Sequence, residues 1–466
     1  MSSRKQGSKK KKDCPTESRR KWIQKDIPEK SSRSAADKPE WYADDKDPVD
    51  IFELFLDKDI ISLILKETIR YAVSKGQINF VLSGNELKIF LAILFISGYN
   101  TVSHRRMYWE SAKDAYHPGI SNAMSRNRFE EILRYFHVGD NAKIDANADK
   151  FAKVRPMWDL LNSKWLKFFP DEPELNVDES MCPYFGRHPC KQRINGKPIR
   201  MGYKVWCVCT RLGYLIRGIP YQGAATGNTI PELGLGGSVV VNLVEPLPHT
   251  YSLYFDNLFT SFKLLERLLA LNHEGTGTVR SNRVENAPLK DITAMKKLPR
   301  GSFHQVTDKS SKITLVRYND NKVVTVASTC CGVEPLGKSN RWSNEAGKRI
   351  PINQPCCVEK YNTFMGGVDR LDQNISAYRI GIRSKKWYWP LIRYVLNVSM
   401  NNAWLIYRLT ERGNRENTDL LGFTRSVVQT YLAKCAIERE RAARVSVPGK
   451  GRVDDRVRLS KDVLHK

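Results

Sequence analysis

One amphipathic stretch, Tyr361 to Ile380, limits most strongly what this chain can form. Its sequence, YNTFMGGVDRLDQNISAYRI, repeats apolar residues at helical spacing from Phe364 to Ile375. Asp369 and Asp372 are three residues apart, so on a helix both carboxylates project from the same face. The stretch is predicted to be a helix that packs by one apolar stripe and presents two acids beside it. The acids are either an exposed acidic edge or one arm of a metal site.

Two further aspartates follow strand-like runs upstream. Asp178 closes the short extended stretch ELNVDES after Pro173, and Asp256 ends the alternating run TYSLYFDNLFTS. Carboxylates that end adjacent strands converge, and a helix that bears more acids can close over them. Because clustered carboxylates repel one another unless cations lie between them, such a group favours the hard ions Mg²⁺ or Mn²⁺. A cluster of this kind indicates two-metal phosphoryl transfer.

The composition favours a polyanionic partner. The 466 residues include 76 Lys and Arg against 50 Asp and Glu, a formal net charge of +26. Such a surplus repels itself unless a polyanion neutralises it, and nucleic acid is the usual one. The alternative is a basic protein with no specific partner. The best apolar run, LKIFLAILFISGY from Leu87, is shorter than the about 20 residues of a membrane helix and carries Lys88. We therefore expect DNA or RNA as the partner, no membrane contact, and a buried helix at Leu87; the resemblance described next implies that the partner is double-stranded DNA.

Several longer motifs occur in a fixed order along the chain. They are NVDES with PYFGRHPCKQRINGKPIRMGYKVW, then YFDNLFTS, TGTVR, YNTFMGGVDRLD and RSKKWYWP. In sequence and order they resemble the piggyBac transposase family, including the transposase-derived proteins of vertebrate genomes, from about Trp41 to about Cys435. The resemblance implies an α/β fold: an RNase H-like catalytic core of the DDE/D transposase type, an α-helical dimerisation and DNA-binding domain, and a small β-rich insertion domain.

The same resemblance implies an activity and the residues that carry it. The family's catalytic acids fall on Asp178, Asp256, Asp369 and Asp372, and the first three would hold Mg²⁺ or Mn²⁺. The implied reaction is metal-dependent DNA strand cleavage and strand transfer at TTAA sites by a homodimer. Two alternatives stay open: a domesticated, catalytically idle nuclear DNA-binding protein, and a nuclease of the same fold. Family members commonly end in a cysteine-rich zinc domain that recognises transposon ends; we expect none here, which argues against specific end recognition.

The pattern and the resemblance together divide the chain into seven segments. They are a disordered basic tail (1–40), the first part of the helical domain (41–172), the first part of the catalytic domain (173–280), the insertion domain (281–355), the acidic helix of the catalytic domain (356–379), the second part of the helical domain (380–435) and a charged tail (436–466). The first tail holds 13 Lys and Arg against 6 Asp and Glu. Its run Lys9 to Lys12 is typical of a nuclear import signal, so we predict a nuclear location; a nonspecific basic tail is the alternative.

Two basic groups are candidates for DNA phosphates. Arg105 and Arg106 lie beside aromatic residues in HRRMYWE, a mixture suited to phosphate contact and packing. Arg383, Lys385 and Lys386 precede a long amphipathic helix and follow the acidic stretch. The alternative for both groups is a solvated surface.

Shorter patterns predict the remaining elements. The segments IRMGYKVWCVCT and YLIRGIPYQ predict one hairpin, and KITLVRY with KVVTVAST a second. SFKLLERLLAL predicts a helix and GTGTVR a short strand. The glycines of ELGLGGS fall short of the dinucleotide-binding fingerprint, so this segment is predicted to be a loop that leads into SVVVNLVE.

Overall fold

The computed structural model describes residues 20–30, 33–34, 45–114, 116–143, 149–223 and 229–445, with side chains up to residue 433. The helices in chain order are α1 (Pro48–Phe52), α2 (Lys58–Ser74), α3 (Gly84–Tyr99), α4 (Pro118–Ser121), α5 (Arg126–Tyr135), α6 (Arg155–Lys167), α7 (Gly234–Val244), α8 (Phe262–Ala270), α9 (Ile292–Lys296), α10 (Cys356–Phe364), α11 (Gly367–Ala377), α12 (Trp389–Tyr407), α13 (Glu411–Glu416) and α14 (Leu420–Val445). The strands are β1 (Trp22–Ile23), β2 (Glu174–Pro183), β3 (Lys191–Arg193), β4 (Met201–Thr210), β5 (Leu215–Pro220), β6 (Ser252–Phe255), β7 (Glu274–Thr278), β8 (Phe303–Asp308), β9 (Thr314–Asn319), β10 (Val323–Ser328), β11 (Gly337–Ser343) and β12 (Lys348–Gln354).

The chain divides into two compact units. The first unit consists of Met1–Ser34, Pro173–Val177 and Gly227–Met365, and the second of Ala35–Glu172, Asp178–Thr226 and Gly366–Lys466. Strand β2 contributes to both, because the division falls between Val177 and Asp178.

The first unit is built on a mixed sheet. Its strand order is β1-β8-β9-β10-β7-β6-β2, and β2, β6 and β7 run parallel. Every residue of β6 is buried, as expected for a strand in the parallel part of a sheet, where both faces are covered. Helix α8 packs on β7, where the short side chains of EGTGT allow a close approach: a Cβ on Gly275 would lie 2.6 Å from Leu265 Cδ2. Strands β11 and β12 form a separate antiparallel ribbon.

The N-terminal residues of the first unit differ from the disordered tail predicted for 1–40. Strand β1 pairs with β8, and Arg20 forms ion pairs with Glu266 and Glu285. The carboxylate of Asp26 accepts hydrogen bonds from the backbone N–H groups of Val333 and Glu334. Edge pairing and these charge contacts compensate for the low apolar content on which the prediction rested. The Lys9 to Lys12 run lies outside the described residues.

The second unit combines a small sheet with most of the helices. Strand β4 lies beside β2, and β3 and β5 both pair with β4 in antiparallel fashion. Ser83 caps α3 by accepting the N–H of Glu86, and every residue from Ile89 to Ser97 is buried, so the predicted buried helix is confirmed. Helix α3 packs on α14, and α1 packs on α12.

None of the described helices is both long and apolar enough to cross a membrane.

Both predicted hairpins are confirmed, as β4 with β5 and β9 with β10, but two local predictions were wrong. The glycine-rich ELGLGGS does not form a loop, because α7 begins at Gly234. A Cβ on Gly236 would lie 2.7 Å from the Leu258 carbonyl oxygen, so tight packing accounts for glycine inside this helix despite its low propensity. The acidic stretch is two helices, α10 and α11, separated by Met365 and Gly366. The division into seven segments stays a prediction.

Candidate active site

Asp178 lies in the middle of β2, not at its end as predicted. The strand continues through Met181 and Cys182, both buried, to Pro183. The apolar residues after the acid therefore extend the strand beyond the point at which the sequence suggested a stop. The Asp178 side chain is only 13% exposed, and its Oδ1 accepts the N–H of Glu179.

Helix α11 carries Asp369 and Asp372, as predicted, but the two acids have different surroundings. Val368, Leu371 and Ile375 form the buried stripe of this helix, whereas Phe364 belongs to α10. The Asp369 side chain is 69% exposed. Asp372 is part-buried and accepts a hydrogen bond from the Ser180 hydroxyl on β2. The exposed-edge interpretation therefore does not hold for Asp372.

A hydrogen-bond chain holds the Asp372 carboxylate in place. The hydroxyl of Tyr394 on α12 donates to Ser180 Oγ at 3.0 Å, and Ser180 in turn donates to Asp372. Both Ser180 and Tyr394 are buried, so neither is free to rotate toward solvent. Neither residue was singled out from the sequence; the one available signal for Ser180 is its place in the NVDES motif.

The turn between β4 and β5 seats α11. Gly213 in this turn has φ +89°, and a Cβ there would lie 2.7 Å from the backbone nitrogen of Leu371. Asn401 on α12 donates from Nδ2 to the Gly213 carbonyl at 2.8 Å and accepts from Asn374 Nδ2 at 2.9 Å. Two neighbouring elements therefore fix the helix that carries Asp369 and Asp372.

Lys197 bridges two of the predicted catalytic acids. Its Nζ lies 3.4 Å from Asp178 Oδ2 and 3.2 Å from Asp369 Oδ1, and its side chain is 18% exposed. Burial lowers the pKa of Lys197, but the two carboxylates raise it by more, so the net shift is upward and the ammonium stays charged. Sequence reasoning missed Lys197. The available signal was its position directly after Asn195-Gly196 in the PYFGRHPCKQRINGKP motif, a turn that Gly196 makes at φ +94°.

The acids at this site resist ionisation. Burial raises the pKa of Asp178 to about 7, with Lys197 opposing the shift and Glu179 adding to it. Burial likewise raises the pKa of Asp372 to about 6, against the hydrogen bond from Ser180. Glu179 Oε2 is buried and has no hydrogen-bond partner in the part of the chain that the structure describes. Acceptor oxygens are thus in excess over donors beside Asp178.

Asp256 belongs to the first unit and lies at a strand-to-helix junction, as predicted. It follows β6 directly, its carbonyl accepts the N–H groups of Phe259 and Thr260, and its Oδ1 accepts the N–H of Leu258 at 2.8 Å. Asp256 therefore starts the turn that leads to α8. In the parallel register of β2 and β6, Val177 is paired with Phe255, and in the sequence an aspartate follows each of them.

The donor set suits a hard divalent cation. Within the described ranges, no three His, Cys, Asp or Glu side chains are grouped closely enough to hold an ion. The oxygens present are nevertheless carboxylate oxygens, the type that Mg²⁺ and Mn²⁺ prefer. Asp178 and Asp369 already converge on one cationic atom, Lys197 Nζ, and the orphaned Glu179 Oε2 adds an acceptor. These residues fit a divalent cation in the chemistry of their oxygens.

Comparison with known proteins identifies the family. Residues 47–404 match the family model described as Transposase IS4. The chain is 44% identical over 389 residues to human PiggyBac transposable element-derived protein 3, matching 83% of this chain and 65% of the relative. It is 40% identical over 434 residues to human PiggyBac transposable element-derived protein 2, matching 92% of this chain and 73% of the relative. The chain belongs to the piggyBac transposase family. It spans less than two thirds of the first relative's length.

A solved structure supports the same assignment for the fold. The chain resembles the piggyBac transposase of a cryo-EM synaptic complex with hairpin DNA, with a TM-score of 0.70 and 25% sequence identity. The likeness covers 89% of this chain and 87% of that one. The mixed α/β architecture described above is therefore that of a piggyBac transposase.

The first predicted phosphate-binding group of this piggyBac-family chain is split by the structure. Arg105 forms a two-pronged ion pair with Glu130 on α5, with Nε and Nη2 each 2.7 Å from a carboxylate oxygen. Arg106 is 70% exposed and lies 3.9 Å from the same carboxylate. Arg105 thus has a structural partner, and Arg106 is the more accessible of the two.

The second group is split in the same way. Arg383 and Lys385 are exposed, whereas Lys386 is part-buried. Lys386 Nζ donates to the carbonyl oxygens of Leu133 at 3.2 Å and Phe136 at 2.8 Å, at the end of α5. Burial lowers the pKa of Lys386 to about 7. In this piggyBac-family fold Lys386 therefore secures a helix end, which the basic run in the sequence did not reveal.

Proposed function

We propose that this chain cleaves and transfers DNA strands in a divalent-metal-dependent reaction of the DDE/D type. The observation that carries the proposal is the shared contact of Asp178 and Asp369 with one cationic nitrogen, Lys197 Nζ. Two carboxylates from distant parts of the sequence that converge on one cation supply the minimum of a metal site. Membership of a transposase family makes DNA strand cleavage the reaction that such a metal site is expected to catalyse.

Each acid has a distinct role in the proposed site. Asp178, Asp256 and Asp369 hold the ions, and Asp372 orients the site from the same helix as Asp369. A bound Mg²⁺ or Mn²⁺ pair supplies Lewis-acid activation of the attacking oxygen and charge neutralisation at the leaving oxygen. Asp256 is included because the family resemblance places a catalytic acid at this position. With a pKa of about 7, Asp178 is only partly ionised at neutral pH, and a bound divalent cation would favour its charged form.

The catalytic core is proposed to be RNase H-like. In the second unit β5 pairs with β4, and β4 lies beside β2; in the first unit β2, β6 and β7 are parallel neighbours. Three parallel strands, β2, β6 and β7, followed by β4 with its antiparallel partner β5 support this assignment. Asp178 lies on the shared strand, and Asp256 directly follows the parallel neighbour β6.

The proposed substrate is double-stranded DNA. The net charge of +26 and the exposed side chains of Arg106, Arg383 and Lys385 support phosphate binding. The solved relative is a synaptic complex with hairpin DNA, which supports a hairpin at the excised end and a paired assembly. Insertion at TTAA, a homodimer and a nuclear location rest on the family resemblance and on the basic N-terminal sequence.

An excision and strand-transfer assay tests this function. The full chain is incubated with Mg²⁺ or Mn²⁺ and DNA that carries the terminal repeats of its parent element, beside Asp178→Asn, Asp256→Asn and Asp369→Asn variants. Each variant should abolish cleavage while the protein stays folded. Asp114→Asn, at an exposed aspartate of the second unit, is the matched control and should cut like the parent.

Three results would contradict the proposal. Cleavage that persists in Asp178→Asn would show that Asp178 is not a metal ligand required for the reaction. A parent chain that binds DNA and metal but cuts neither strand would instead support the idle nuclear DNA-binding protein. Cleavage without strand transfer would identify a nuclease of the same fold.

A further inference from the structure

A groove in the second unit is lined by cations without matching anions. It has a volume of about 1070 Å³ and is formed by residues 183–186, 198–201, 379–381 and 383–386 together with the first turns of α12. We call it the basic groove. Its lining contains no Asp or Glu and contains six basic side chains: Arg200, Arg379, Arg383, Lys385, Lys386 and Arg393.

Most of these cations have no carboxylate partner. Lys386 is committed to the carbonyl groups at the end of α5. For the other five basic residues, no ion pair with any described residue is found, in contrast to Arg105, which pairs with Glu130. A concave surface of one charge sign attracts ligands of the opposite sign, because its charges add in the groove. The lining therefore suits a polyanion.

Arg393 is the most deeply placed of these cations and has an unsatisfied donor. Its Nη1 donates to the Ile380 carbonyl at 2.9 Å, but its buried Nε has no hydrogen-bond partner among the residues that the structure describes. Burial lowers the pKa of Arg393, and Arg379 and Arg383 lower it further, so three guanidinium groups lie within electrostatic reach of one another. An unpaired buried donor is costly unless a ligand satisfies it. A phosphate in the groove would offset the mutual repulsion of the three guanidinium groups.

An exposed aromatic ring lies in the same lining. Phe185 is 82% exposed, whereas its neighbour Tyr184 is stacked on Tyr203 with ring centroids 4.7 Å apart. A phenylalanine ring gains nothing from water, and a ring at the wall of a phosphate-binding groove offers a flat apolar face. Proteins that bind single-stranded nucleic acid combine these two features, a basic groove and rings on which bases stack.

The groove and the acidic site are built on some of the same elements. Phe185 follows β2, the strand of Asp178, and Arg379 follows α11, the helix of Asp369 and Asp372, by two residues. Arg393 is the residue before Tyr394, which holds Ser180 and through it Asp372.

We propose that the basic groove binds a single-stranded segment of DNA, with a phosphate on Arg379, Arg383 and Arg393 and an unpaired base stacked on Phe185. The inference rests on the proposed function and deepens it by naming the form of DNA that this site takes. Duplex DNA hides the faces of its bases, so only an unpaired or flipped base reaches the ring. Phosphate contacts alone do not distinguish the two forms.

The test compares single-stranded and duplex binding in the full chain. Fluorescence anisotropy is measured in EDTA, so that no cleavage occurs, with a labelled oligonucleotide and with its duplex. Phe185→Ala should weaken single-strand binding by about tenfold, the typical effect of losing one stacked base, and leave duplex binding unchanged. Phe185→Trp keeps an aromatic ring at this position and should bind single-stranded DNA like the parent. Tyr116→Ala, at another exposed aromatic of the second unit, is the matched control and should change neither.

Two further measurements separate stacking from charge. Arg379→Gln should weaken binding and reduce the slope of log affinity against log salt by about 0.7, the value for one phosphate of a single strand. An oligonucleotide made only of abasic sites should bind Phe185→Ala and the parent equally, because it has phosphates but no bases.

The proposal is overturned if Phe185→Ala weakens single strands and duplex equally, or weakens neither, or if RNA of the same sequence binds the groove more tightly than DNA. These results do not depend on cleavage. A chain that fails to cut DNA but shows the Phe185 effect retains this inference and loses the catalytic proposal. If DNA cleavage depends on Asp178 but Phe185→Ala has no effect on binding, the catalytic proposal is retained and this inference is lost.

Discussion

Lys197 Nζ lies 3.4 Å from Asp178 Oδ2, so the ammonium of a loop residue contacts a carboxylate held within a strand. The same nitrogen contacts Asp369. In the absence of metal, Lys197 is thus the cation that offsets the repulsion between two acids from strand β2 and helix α11. A divalent ion that binds the same oxygens competes with the ammonium.

Replacing Lys197 with methionine should therefore distinguish the effect of the ammonium from that of a bound metal ion. Without metal, Lys197→Met should lower the free energy of unfolding by about 2 kcal/mol, because a part-buried carboxylate loses its partner. The loss is limited since Asp178, with a pKa of about 7, can take up a proton. Addition of Mn²⁺ should raise the melting temperature of the variant more than that of the parent. Lys197→Arg keeps the charge and should behave like the parent; an equal metal response in all three proteins would contradict the competition.

Arg105 and Arg106 are adjacent in sequence but should respond differently to replacement. Arg105→Gln should cost about 1 kcal/mol of stability, because it breaks the two-pronged pair with Glu130. Arg106→Gln should leave stability unchanged and reduce the salt slope of duplex DNA binding by about 0.9. Urea unfolding and anisotropy titrations over a series of salt concentrations measure the two effects. A larger loss of DNA affinity in Arg105→Gln than in Arg106→Gln would reverse this assignment.

The sequence allowed both hairpins, the buried helix at Leu87 and the α11 part of the acidic stretch to be predicted, because each has a strong period of 3.6 or 2 residues; the break between α10 and α11 was not predicted. It also placed Asp256 correctly, since the run before it ends at a turn. The prediction that Asp178 ends its strand was wrong, because β2 continues to Pro183. Local pattern does not reveal that β2 continues, because the residues after Asp178 are buried through contacts far away in sequence, such as Ser180 with Asp372.

The role of individual charges was not predictable from basic runs. Lys385 and Lys386 are neighbours of the same type, yet Lys385 is exposed and Lys386 binds two carbonyl groups of a helix more than 240 residues earlier. Lys197 was overlooked because a lysine after an Asn-Gly turn is normally solvated. Only the tertiary structure brings it to the acids. Charge pattern therefore indicated the partner class, whereas packing decided which side chains remain available for it.

Acid pH should destabilise the second unit through His137. Burial lowers the pKa of His137 to about 4, helped by the charge of Lys386, and its ring is stacked on Tyr71 and hydrogen-bonded to Tyr388. The unfolded chain therefore binds one more proton than the folded chain between pH 6.5 and about 4, so this contribution to stability falls as the pH falls through that window.

The check is urea unfolding at pH 7, 6, 5 and 4 for the parent and His137→Phe. The variant keeps the ring stacking, loses the hydrogen bond and should be less stable than the parent at pH 7. The difference between the two proteins should shrink toward pH 4. Because the raised pKa values of Asp178 and Asp372 act in the opposite direction, the comparison of the two proteins is the readout, not the parent alone. A constant difference across the range would show that His137 does not titrate as described.

Gly213 should be sensitive to a single added methyl group, because α11 rests on it. Both Gly213 and Gly76 have positive φ, +89° and +83°, so alanine at either position pays the same backbone strain, about 1–2 kcal/mol. At Gly76 the added Cβ meets no atom within 4 Å, whereas at Gly213 it would lie 2.7 Å from the Leu371 nitrogen. Gly213→Ala should therefore lose more stability in urea than Gly76→Ala. It should also impair any metal-dependent cleavage, since the helix that must shift carries Asp369 and Asp372. Equal losses of stability in the two variants would mean that α11 can shift away from the added methyl group without a loss of stability. The β4–β5 turn would then not position the acids.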